Sequence, residues 1–253
     1  MPINHENVRS FGAVATDTLP TPAADGGLAQ LRVDRYGALM PSVPLRHALG
    51  REGSYYSFFN ATLDVATTEA GHAAPVLADV DSTLVKAAIF FRNISTSTTK
   101  GWHLDWLKLH VKVAGATGSS ILYHAQVGTT TRLSTGGVAL TVTQPNMGVA
   151  NDASSLLTAQ TGPIVITAEN ATTRNVMQGL LRDGIEVAGD TKTFIFGAEP
   201  LGTSNGELAA GTHDIIHMPP VFLPSGAEFI LGLAQVAQNA AGVYGVSGGM
   251  YYR

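Results

Sequence analysis

Two short stretches of this 253-residue chain gather residue types that do chemistry. The first is His213-Asp214-Ile215-Ile216-His217. On a helix, imidazoles four residues apart share a face, and with a carboxylate they could hold a divalent metal. Here Pro219-Pro220 follows at once and Ile215-Ile216 favour an extended chain. In a strand the two imidazoles stand about 13 Å apart, too far for one ion, so no metal is expected. The second stretch is Trp102-His103-Leu104-Asp105-Trp106, with His110 beyond it. In a regular strand His103 and Asp105 share one face, close enough to hydrogen-bond, and Trp102, Leu104 and Trp106 share the other. The reading this pattern favours is a half-buried strand with a Trp in the core. The alternative is that Trp102 and Trp106 form an exposed pair that stacks on a sugar ring or a partner's side chain.

Nothing else in the chain has the spacing of a catalytic site. It lacks a nucleophile elbow, a P-loop, an HExxH pair and a GxGxxG turn, and its carboxylates are sparse. No catalytic residue and no cofactor is expected, and the chain reads as a non-enzyme. It has no cysteine, which excludes disulfides and thiolate metal sites. Asn60, Asn93 and Asn170 each begin a glycosylation-like triplet, which without a secretory leader is read as chance. The opening residues show no basic segment followed by an apolar run, and no apolar stretch is long enough to cross a bilayer. The expectation is a soluble protein made in the cytosol, without membrane contact.

Charge is scarce and uneven. The net charge is −4, with 15 Lys and Arg, and no window collects a basic patch, so direct nucleic-acid binding is not expected. Only 13% of residues are charged, against roughly 25% in ordinary soluble domains. Between Val113 and Ala168 the only charged residues are Arg132 and Asp152, and between Phe229 and Tyr252 there are none. Free surfaces normally keep charges spread over them, and interface cores are depleted in charge. Both segments are therefore expected to be buried between subunits, the alternative being a Thr/Ser/Asn surface that is polar without charge.

The elements that would position these residues are mostly strands. Residues 1–53 carry Pro20, Pro22, Pro41 and Pro44 and little periodicity, and read as an extended arm lying along a neighbouring subunit. Its anchors are spread-out apolar residues, among them Phe11, Leu19, Leu31, Val33, Tyr36 and Leu39. Residues 54–253 read as a β-sandwich body. Leu107–Val113 alternates with period two and turns Lys108, His110 and Lys112 outward, and it is expected to form a hairpin with Ile121–Val127. Further strands are expected at Tyr55–Val65, Leu84–Ile94, Val138–Val142, Ile164–Thr167, Phe194–Phe196, Val221–Leu223, Phe229–Ala234 and Val243–Tyr252, separated by Gly- and Pro-rich turns that include Gly248-Gly249. Thr172–Gly184 places Val176, Met177, Leu180 and Leu181 on one helical stripe and is expected to be a short helix. The fold class is all-β, a jelly-roll-like sandwich with a long extended N-terminal arm and one short helix.

Three stretches resemble structural proteins of tailed bacteriophages: Leu31–Leu39, similar to an "LRVDxxGAL" N-terminal strand; Pro219–Gly226, similar to a Pro-rich approach to the last strand pair; and the Gly- and aromatic-rich end, Val246–Arg253. The resemblance implies a jelly-roll-like virion protein, assembled in the host cytoplasm, such as a capsid decoration (cement) protein that bridges neighbouring capsid subunits. Its partners would be copies of itself, as a trimer, and the major capsid protein or other virion proteins. The alternatives are a tail, neck or baseplate component and, from another class, a carbohydrate- or receptor-binding module.

Overall fold

The computed structural model describes residues 45–60, 65–66, 86–113, 121–181, 188–197, 213–235 and 243–253. Most of them are in strands. β1 (Tyr55–Asn60), β4 (Trp102–Val113), β9 (Thr191–Phe196) and β13 (Val243–Tyr252) form one sheet in the order β1-β13-β4-β9, every pair antiparallel. β3 (Lys86–Asn93), β5 (Ile121–Gly128), β8 (Arg174–Leu181) and β12 (Glu228–Gln235) form a second, in the order β3-β12-β5-β8, again antiparallel. Short β2 (Val65–Ala66) and β11 (Phe222–Leu223) pair with β13 and β4, and β10 (His213–Met218) runs parallel to β9.

β6 (Leu133–Thr143) and β7 (Leu157–Ile166) join the two sheets. The first part of β6, Leu133–Ala139, pairs with β7, which pairs with β3; its last part, Leu140–Thr143, pairs with β1. Register shifts at Leu133/Thr135 and Gly136/Val138 bend the strand between its partners. Gly136 and Gly137 both have φ +83°, where a side chain would be strained.

The two sheets face each other across one core. Phe58 meets Phe91 at 4.9 Å, Tyr123 meets Phe194 at 5.5 Å, and Phe196 meets Phe229 at 5.7 Å, each pair joining one sheet to the other. This is an all-β sandwich, as the strand spacing predicts.

Several local expectations are corrected. β4 and β5 do not form a hairpin; each lies in a different sheet and the chain crosses between layers. Thr172–Gly184 is not a helix, since Arg174–Leu181 is β8. The cause is a register shift beside Val176, between Ala125 and Gln126 of β5. That irregularity lets both Val176 and Met177 pack against the core, so adjacent apolar residues mimic a helical stripe. Gly248-Gly249 is not a turn but the middle of β13, where the ring of Phe58 lies against Gly248. Helices occur elsewhere, as α1 (Leu45–Glu52) and α2 (Ala153–Leu156). α1 occupies the end of the expected extended arm, and its Leu49 is fully buried. Residues 1–44 of that arm, with Phe11, Leu19, Leu31, Val33, Tyr36 and Leu39, lie outside the described residues.

Candidate interaction surface

The Trp102–Trp106 stretch lies in β4, and a bulge divides it. Trp106 pairs with Gly249 but Leu104 pairs with Met250, which leaves Asp105 as the extra residue. Side-chain parity flips there. Trp102 and Leu104 point into the core, while Asp105 and Trp106 both lie on the outer face, half-buried. The alternative, an exposed pair of indoles on one face, is therefore not formed. Trp102 is fully buried, packs edge-on against Tyr56 at 4.8 Å, and donates its Nε1–H to the Leu156 carbonyl at 3.1 Å.

On the outer face Asp105 is a hub. Arg46 of α1 reaches it with Nε at 2.7 Å and Nη2 at 2.8 Å. Tyr55 donates to Asp105 Oδ2, the oxygen that Arg46 Nε also contacts, at 2.8 Å, and Trp106 donates to the Tyr55 hydroxyl at 3.1 Å. Burial and the Asp105 carboxylate push the Tyr55 phenol well above the usual tyrosine range. A Cβ at Gly249 would collide with Tyr55 and Trp106, so this cluster needs a glycine beneath it. Among the described residues His103 makes no hydrogen bond to Asp105; it stacks on Tyr251 at 4.6 Å and lies tilted against Phe222 at 4.7 Å. Burial, and secondarily Arg253, lowers its proton affinity. The cluster ties α1 to the sheet.

His213 and His217 lie four residues apart along β10, in the extended form that Ile215-Ile216 and the prolines predict. Asn60 and Asn93 are buried, with Asn60 accepting from the Val246 N–H and Asn93 donating to the Leu223 carbonyl, so neither presents a glycosylation site. Among the described residues, no helix is long and apolar enough to cross a membrane.

The two uncharged segments have different explanations. Phe229–Leu233, Tyr244–Val246 and Gly248–Met250 are all buried inside this one chain. Their lack of charge follows from central strands packed in the subunit's own sandwich and says nothing of a partner. The other segment is different. In the β6–α2–β7 hairpin, Val138 is 54% exposed, Met147 96%, Val149 44% and Val165 41%. These are four of the nine large apolar side chains exposed among the described residues. A fifth, Phe59, lies on β1 opposite Thr141 of β6.

Both charged residues of the Val113–Ala168 segment have partners within the chain, although Asp152 remains exposed. Asp152 accepts from the Tyr56 hydroxyl at 2.6 Å. Arg132 is fully buried at the foot of the hairpin. Its Nε donates to the Thr167 carbonyl at 2.9 Å and its Nη1 to Gln126 Oε1 at 2.5 Å. The Thr167 N–H donates back to the Arg132 carbonyl at 2.7 Å, closing the base of the hairpin. Gln126 in turn donates to Glu169 and to Asn175, and His124 shares the same Asn175 oxygen at 2.9 Å. Burial disfavours charge on Arg132, while Glu169 and Glu228 favour it. The scarcity of charge around Arg132 marks it in the sequence; nothing there shows that it is buried or which residues receive it.

No family model matches this chain, and neither a curated protein nor a solved structure matches it.

Proposed function

We propose that the chain is a non-enzymatic structural subunit of a virus particle, a decoration protein that binds the assembled head of a tailed DNA phage and bridges neighbouring capsid subunits. The observation that carries the reading is the charge-poor hairpin, whose own Arg132 is buried and whose own Asp152 is paired with Tyr56, while several of its large apolar side chains stand exposed. Interface cores are depleted in charge in this way. The strand order supports the jelly-roll form. Leaving out β2, β6, β7, β10 and β11, the eight remaining strands in chain order pair as first-eighth-third-sixth and second-seventh-fourth-fifth, the order of two interlocked Greek keys. The resemblance of Leu31–Leu39, Pro219–Gly226 and Val246–Arg253 to phage structural proteins supplies the setting. Binding only the assembled lattice would stabilise it by mass action.

The test is co-sedimentation of the purified chain with heads that lack it, followed by imaging. Decoration predicts many copies spread over the shell and heads that resist heating better. Copies confined to one vertex would favour the tail or neck alternative, and no binding would overturn the reading.

A further inference from the structure

We infer that the aromatic outer face of the first sheet is a docking site for an extended, proline-bearing segment, and that its occupant is Pro41-Ser42-Val43-Pro44 of the same chain. The docking is independent of the proposed role in a virus particle. Strand register sets the face. Phe222 of β11 pairs with His103 of β4, His103 with Tyr251 of β13, and Tyr251 with Tyr55 of β1, so four rings stand in one row across four adjacent strands. Phe222 lies against His103, His103 stacks on Tyr251, and Tyr55 accepts the Trp106 N–H beside the row. Phe222 is 49% exposed and the other four rings are partly open to solvent. Among the described residues neither the His103 imidazole nor the Tyr251 hydroxyl has a hydrogen-bond partner. Both can donate to the carbonyls of a peptide laid over them. Aromatic-lined faces of this kind take polyproline II segments, whose backbone makes no internal hydrogen bonds and leaves its carbonyls free.

Position and shape choose the occupant. α1 meets this face through Arg46 on Asp105, and Asp105 also accepts from Tyr55 of the row. Pro41 precedes Arg46 by five residues, a length of chain that extends at most roughly 18 Å. A tether that short holds the segment at an effective concentration on the order of millimolar. Met40 and Val43 each precede a proline and are turned away from helix towards the extended form. In polyproline II, residues three apart lie on one edge, about 9 Å from each other. Two strand spacings measure about 9.6 Å, so Pro41 and Pro44 match the step from His103 across Tyr251 to Tyr55. A segment of any other molecule would have to displace this tethered one. The arm expected from the sequence is then anchored on its own subunit before it reaches another.

The experiment is iodide quenching of tryptophan fluorescence in the full chain. Trp102 is fully buried, so iodide reads Trp106 alone. Pro41→Ala/Pro44→Ala should make Trp106 more quenchable by about twofold, and an added peptide of residues 36–45 should reverse the change. Pro20→Ala/Pro22→Ala is the control and should quench like the wild type. Circular dichroism checks that both variants keep their strands. Protection of Trp106 in the wild type should not vary with protein concentration. The inference is overturned by a quenching constant that the Pro41 and Pro44 substitutions leave unchanged, by an equal rise in the control, or by a rise that the peptide fails to reverse. Protection that disappears on dilution also overturns it, by giving the face to a segment of another copy.

Discussion

Both carboxylate oxygens of Glu228 accept the backbone N–H of Arg132 at 3.1 Å, and neither residue is exposed to solvent. A loop residue is thereby held to the outer side of a central strand by a buried acid. Burial pushes the Glu228 carboxyl above the usual glutamate range, against the opposing pull of the Arg132 N–H, Arg132, Arg92 and Thr131. Removing one member of a buried charged set leaves the rest uncompensated, which typically costs about 3–5 kcal/mol. Arg132→Met is expected to destabilise by roughly that amount. In the Glu228→Gln background the same substitution should cost less, since one stranded charge is gone. Urea unfolding of the four proteins in a double-mutant cycle measures the coupling; additive losses would show that the pair acts through packing alone.

The raised Glu228 carboxyl has a definite sign in pH. The folded state binds the proton more tightly than the unfolded chain, so its contribution is present in full below the ordinary glutamate range and is lost as pH rises through the higher folded value. Wild type should therefore gain stability relative to Glu228→Gln as the pH is lowered from neutrality. Melting temperatures of the two across a pH series check this, and a constant difference would contradict it.

His103 has the opposite sign. Burial and Arg253 lower its proton affinity, so the unfolded chain protonates first and stability falls with acid. His103→Phe should keep the stack on Tyr251, whose ring lies within 8° of parallel. It should also remove part of the acid sensitivity between roughly pH 7 and pH 5. The readout is the slope of melting temperature against pH, with an unchanged slope counting against the assignment.

What was legible in the sequence was whatever repeats with period two. Leu107, Leu109 and Val111 read as one buried face, and they are. Two bulges hid the rest. At Asp105 the parity changes and separates Trp102 from Trp106, and near Val176 two neighbouring apolar residues turn the same way. An inserted residue leaves no mark in composition, so a strand reads as a helix, and Trp102 and Trp106 read as sharing one face. Pairing was the other gap, because adjacency in sequence cannot show that β4 and β5 belong to different layers. The uncharged segments look alike until burial separates the described strands of Phe229–Tyr252, which are mostly core, from the hairpin with its exposed apolar side chains.

Gly248 tests the close approach inside the sandwich. Its absent side chain lets β13 pass beneath the Phe58 ring, which in turn meets Phe91 of the other sheet at 4.9 Å. A methyl group there would fall within the ring, and the neighbours on both sides are packed. Gly248→Ala is expected to lower stability by about 3 kcal/mol through overpacking. Phe58→Leu should partly relieve the alanine variant, although it is costly alone. Denaturant midpoints for the pair decide this; a neutral Gly248→Ala would mean the sheets separate more easily than their contacts imply.

The end of the expected arm belongs to the body. Leu49 is fully buried, the Leu49 carbonyl accepts the Ser54 N–H at 2.9 Å, and the Arg51 carbonyl accepts from Asn146 at 2.8 Å. Arg46 grips Asp105 with two nitrogens, although its own side chain is 58% exposed and the ion pair is correspondingly screened. Burying a leucine contributes about 1.5–3 kcal/mol, and an exposed pair adds about 1 kcal/mol at most. A chain lacking residues 2–50 should therefore unfold at lower denaturant than one lacking residues 2–44, by about 2–3 kcal/mol. Arg46→Ala in the longer chain should reproduce only the smaller part of that loss, and Leu49→Ala the larger part. Equal stability of the two truncations would return α1 to the arm and show that Leu49 fills a site the body can close without it.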